Sequence, residues 1–191
     1  MKYLVSVSIA IILIACGEQK QGDENQAVPV IASNSSNHSD TFNTAFSASL
    51  TAYYALKDAF IEENISKVDT AAERFAKTLS VIPLNEISAD SIKSEAGVLT
   101  ESLQAELIGL KGETLLEEKR KAFQLLTEQM TTLIKKVQFD REVIYYQYCP
   151  MAMDNNGAAW LSASSEIKNP YLPTSMLECG EVKDTLNVVR K

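Results

Sequence analysis

Four stretches of this chain repeat apolar side chains at steps of three and four. Phe46, Leu50, Tyr53, Leu56 and Phe60 form the first stripe. Ile65, Val68, Ala72, Phe75, Leu79 and Ile82 form the second, and Ile92, Ala96, Leu99, Leu103, Leu107 and Leu110 the third. The fourth is Leu116, Phe123, Leu126, Met130, Leu133 and Val137. A period near 3.6 puts each set on one face of an α-helix. Four such helices with short connections predict a mainly α fold, an up-down four-helix bundle over residues 41–138, about 27–37 Å long. Punctuation fits the stripes. Asn64 is a candidate cap for the second helix and Pro83 a stop after it. Ser88 or Asp90 can cap the third, Gly112 can end it, and Thr114 with Glu117 reads as a capping box for the fourth.

The balance of charge removes some functions. Lys and Arg number 18 against 25 Asp and Glu, so the chain is acidic by seven charges and lacks the basic footprint of a nucleic-acid binder. A single histidine, His38, leaves little for a histidine metal centre or a His-based triad. It lies beside Asp40 in a polar stretch and reads as a solvated linker residue. No nucleophile–base pair, phosphate loop or supported carboxylate pair is visible, so no enzyme is expected.

The first residues read MKYLVSVSIAIILIACG. A positive end, a short apolar run and small residues just before Cys16 resemble the lipobox of bacterial lipoproteins. Residues 1–15 are then a signal peptide and Cys16 carries the lipid. Residues 16–40 are a polar tether. The localisation expected is the cell envelope, facing the periplasm or the exterior, with the membrane reached only through the lipid anchor.

After Val137 the helical period stops. Residues 143–148 are β-branched and aromatic and predict a short strand. Residues 139–191 thus form a small lobe of loops and short strands packed on the bundle, with Trp160 as its packing anchor. Cys149, Met151, Met153, Met176 and Cys179 fall within this lobe. Thiolate and thioether sulfurs are soft donors that select Cu(I) and similar ions over Mg or Ca. Pro150 restricts the backbone between Cys149 and Met151. The same residues admit a Cys149–Cys179 disulfide, which an oxidising compartment permits, or methionines that only fill core.

Several segments together resemble a family of bacterial domains of unknown function. They are residues 50–59 (LTAYYALKDA), 146–152 (YQYCPMA), 157–162 (GAAWLS), 169–171 (NPY) and 176–182 (MLECGEV). Members of that family occur as exported proteins and lipoproteins and as fusions to CusB-like adaptors of heavy-metal efflux pumps. The resemblance implies a lipid-anchored periplasmic protein that binds Cu(I), Ag(I) or another soft ion, for sequestration or delivery to efflux. It implies Cys149, Met151, Met176 and Cys179 as ligands, with Met153 less firmly matched, and an efflux adaptor or other envelope protein as partner. This chain departs from the family pattern at Leu172 and Pro173, in the loop leading to Met176. The alternative is a non-catalytic envelope interaction module stapled by a Cys149–Cys179 disulfide.

Overall fold

The computed structural model describes residues 38–186. The signal segment, the lipidation site at Cys16 and most of the tether lie outside the described residues. Helix accounts for 62% of the structure, so the chain is mainly α. The long helices are α1 (Asp40–Ile61), α2 (Ile65–Leu79), α3 (Asp90–Gly112) and α4 (Leu116–Val137), with a 3-10 turn at Leu84–Glu86. A lobe follows: β1 (Ile144–Cys149), the short turn α5 (Ala152–Asn155), β2 (Ala158–Ser162), α6 (Pro173–Met176) and β3 (Glu181–Leu186). The strands form one antiparallel sheet in the order β2-β1-β3.

The stripes become the core because each helix turns its apolar face inward. Phe46, Leu50, Tyr53, Leu56 and Phe60 of α1 are all buried, as are Val68, Ala72, Phe75 and Leu79 of α2. Ile65, which opens the second stripe, is an exception: it sits in the first turn of α2 and is 41% exposed. Helix α1 packs on α2, α2 on α3, and α3 on α4. Helix α1 also meets α4 through ring contacts, Tyr53 stacked on Phe123 at 5.4 Å and Phe60 tilted against Phe123 at 4.9 Å between centroids.

The caps divide. Asn64 does cap α2, its Oδ1 accepting from the Lys67 amide at 3.0 Å. Ser39 caps α1 in the same way, accepting from Phe42 at 3.0 Å. The expected capping box at Thr114 and Glu117 does not form. Helix α4 starts one residue later than that pattern needs, so Leu115 holds the cap position and no side chain closes it. Helix α3 begins after Ala89, again with no side-chain cap, so neither Ser88 nor Asp90 serves. His38 is a second correction. It is not a solvated linker residue: its ring stacks on Phe42 at 4.1 Å and its Nε2 lies 2.5 Å from the Val137 carbonyl. The reason is that α1 starts at Asp40, close enough for the preceding residues to pack on the end of α4.

One phenol ties three elements. The Thr127 hydroxyl donates to the Phe123 carbonyl at 3.0 Å, so at the 2.7 Å contact between them Tyr53 donates and Thr127 accepts. The Tyr53 oxygen then accepts from the Leu161 amide in β2 at 3.1 Å. Burial pushes this phenol far above its ordinary pKa, so it stays neutral. Tyr53→Phe leaves the Leu161 amide buried without a partner and should cost about 1–3 kcal/mol in a urea melt. Tyr54→Phe is the control: the Tyr54 hydroxyl is buried with no hydrogen-bond partner. Its loss should leave stability unchanged or slightly raised. Equal effects from the two variants would refute the bridging role.

Candidate functional site

The cysteine and methionine lobe is placed by β1, whose last residue is Cys149. The sheet is braced from within by Trp160, the expected packing anchor, and by Gln147, to which the sequence pattern assigns no role. Trp160, fully buried on β2, donates from Nε1 to Gln147 Oε1 at 2.5 Å. Gln147 Nε2 in turn donates to the Ser164 and Glu166 carbonyls at 2.9 and 3.1 Å. A buried amide with its donor and acceptor both used fixes the loop after β2.

Asn169 does the same for the turn that carries the second cysteine. Its Oδ1 accepts from the Tyr171 and Leu172 amides at 2.8 and 3.3 Å, an Asx turn that explains why an asparagine precedes Pro170. Its Nδ2 donates to the Cys179 carbonyl at 3.2 Å, and its own amide donates to the Leu177 carbonyl at 2.8 Å. Gly180 follows at φ 142°, and a Cβ there would lie 2.9 Å from the Trp160 ring and 3.0 Å from the Tyr148 carbonyl. Only glycine lets β3 approach the tryptophan this closely.

These constraints bring Cys149 and Cys179 together as a disulfide, with Cα atoms 5.7 Å apart. Cys149 is fully buried and Cys179 half-buried. The methionines separate into two kinds. Met130 of α4 is fully buried core. Met151 is 46% exposed and Met176 36% exposed, each within three residues of a bridged cysteine. Met153 is half-buried and packs against the core instead. Among the described residues, no three His, Cys, Asp or Glu side chains form a group able to hold a metal ion. The soft donors in the lobe are the thioethers and, after reduction, the two thiolates.

Beside the disulfide the backbone is strained. Met153, Asp154 and Asn155 all adopt left-handed φ values of 52°, 56° and 66°. Such a conformation costs a non-glycine residue roughly 1–2 kcal/mol. The Gly157 amide, donating to the Ala152 carbonyl at 2.9 Å, and the Asn156 side chain, donating to Met153 at 2.9 Å, hold the turn. It lines a cleft of about 450 Å3 with Arg120 and Lys121 of α4 and with Tyr171.

Arg120 is the clamp between lobe and helices. It donates to the Pro170 carbonyl at 2.9 Å and to Glu63 at 3.0 Å. Glu63 also accepts from Thr174, and the two hydrogen bonds, Thr174 first, hold its carboxyl below the usual range. The second deeply buried phenol, Tyr171, is neutral for the same desolvation reason as Tyr53.

A family model described as a protein of unknown function (DUF3347) matches residues 50–142. That segment runs from within α1 through α4 and ends before β1, so it stops short of both cysteines. No curated protein and no solved structure matches the chain.

Proposed function

We propose that this chain is a lipid-anchored envelope protein whose C-terminal lobe takes up a soft cation, Cu(I) or Ag(I), to sequester it or pass it to an efflux adaptor. The scaffold in this reading is an up-and-down four-helix bundle, supported by the successive pairings α1–α2, α2–α3 and α3–α4. The chain has no catalytic role in it. Lipid anchoring rests on the sequence before Cys16. Among the described residues no helix is long and apolar enough to cross a membrane.

One observation carries the metal reading: the exposure of Met151 and Met176 beside the two cysteines. A methionine that only fills space is expected inside, as Met130 is. Two thioethers left in solvent at the same end of a sheet are available as soft donors. The ion is cargo, and the full donor set requires the disulfide to be open.

A second reading is favoured by the burial of Cys149 in that disulfide. A buried cystine is a staple, and a stapled lobe suits a rigid, non-catalytic interaction module. One titration separates the two. The protein is reduced with a phosphine, desalted without oxygen and set against a chromophoric Cu(I) chelator. About one equivalent of Cu(I) should be withdrawn from the chelator, and Met151→Leu should weaken binding about tenfold, or 1.4 kcal/mol, with the melt unchanged. If reduced wild type fails to compete, or Met151→Leu binds as well, the interaction module is the better reading.

A further inference from the structure

The two sulfurs of the cystine are not equivalent. Cys149 closes the central strand β1, with Ala158 of β2 opposite it, and none of it reaches solvent. Cys179 sits at the end of the turn that carries the exposed residues Met176, Leu177 and Glu178, and is itself half-buried. Thiol–disulfide exchange is an in-line displacement, so the attacking thiolate must reach one sulfur from the side opposite the other. For Cys149 that approach runs through the core.

We infer that the cystine is opened by an external dithiol attacking Cys179 Sγ, with Cys149 as the leaving sulfur. This rests on the soft-ion reading, which requires both thiolates in a compartment that oxidises them. The dithiol, as thiolate, forms a mixed disulfide with Cys179, and Cys149 leaves as thiolate and takes up a proton. The second thiol of the reductant then attacks the mixed disulfide. The reductant departs as its own disulfide, two electrons have passed to the protein, and Cys149 and Cys179 are both thiols. Burial slows the departure of a thiolate, because the released charge is poorly solvated. It does not redirect the attack, because access to Cys149 would require opening the core. The open form keeps one donor on a rigid strand and the other on a turn that Asn169 anchors through the Cys179 carbonyl.

A monothiol stops the sequence at its first step. The oxidised full chain is treated with glutathione, quenched with iodoacetamide, digested and mapped by mass spectrometry, with the Cys16 peptide read separately. Glutathione should be found on Cys179 and the alkyl group on Cys149, in about tenfold excess over the reverse pattern. Equal labelling, the reverse pattern, or no adduct while the helical circular dichroism is intact would overturn the inference. The result is independent of the Cu(I) titration. An adduct on Cys179 with no Cu(I) uptake sinks the soft-ion reading and leaves the exchange site standing. Cu(I) uptake with the adduct on Cys149 does the opposite.

Discussion

Replacing Lys119 with methionine should destabilise the protein by about 3 kcal/mol, although it removes a charge from a helix rich in charges. Lys119 is fully buried, and its ammonium donates to Asp69 at 2.6 Å and to the Leu110 carbonyl at 2.8 Å, with the Lys111 carbonyl at 3.5 Å. Those carbonyls belong to the last turn of α3, where a cation meets both orphan acceptors and the negative end of the helix dipole. Methionine fills the space but leaves a buried carbonyl and the Asp69 carboxylate without their donor. At about 2–4 °C per kcal/mol for a chain of this size, the melting temperature should fall by roughly 6–12 °C. Lys121→Ala, which removes an exposed partner of Glu118 two residues on, should leave the midpoint where it is. A Lys119→Met protein as stable as wild type would show that the buried ion pair contributes nothing.

The second large effect comes from opening the cystine. The bridge spans a sequence separation of 30 residues, and closing a loop of that length in the unfolded chain is worth about 3–4 kcal/mol. The Cys149→Ala, Cys179→Ala double variant should lose that much in a urea melt. Its far-ultraviolet circular dichroism should barely move, since the helix-to-helix contacts do not involve the bridge. Trp160 is the one tryptophan, fully buried and in contact range of Gly180. Its emission therefore reports on the lobe alone: a red shift before the helical signal falls means the lobe opens first. An unchanged urea midpoint would remove the staple from the account of stability.

The helices were legible because burial and periodicity are one fact seen twice. Phe46, Tyr53 and Phe60 recur at the helical step because that step keeps them on one face, Tyr53 and Phe60 against Phe123 and Phe46 against Phe139. The same rule, carried further, would have found Lys119. It stands between Leu116 and Phe123, at the step where the fourth stripe lacks an apolar residue, and a charged side chain in such a gap points inward with the rest. A rule that treats lysine as surface hides it. The third strand was hidden for a different reason. Residues 181–186 carry Glu181, Lys183 and Asp184, and an edge strand open to solvent needs no apolar alternation. Asn64 caps α2 as its position predicts, but the caps at Ser88 and Thr114 failed because a hydroxyl one residue too early is indistinguishable, in sequence, from one in register. In the lobe, the chemistry of the sulfurs was visible but their exposure was not. Which methionine is core depends on contacts far apart in the chain.

The lobe lies along α1 with a fixed direction. Phe139 stacks on Phe46 near the start of that helix, Leu161 meets Tyr53 midway, and Thr174 meets Glu63 just past its end. His38 rests on the last turn of α4, at the starting end. The turn that leads from Thr174 to Cys179 therefore lies toward the far pole, separated from His38 by much of a 22-residue helix that is about 33 Å long. Whatever grips the chain ahead of His38 acts as a mount, and the sulfurs ride at the opposite tip. A surface holding the protein by that end would set the standoff of the sulfurs and leave them facing away from it.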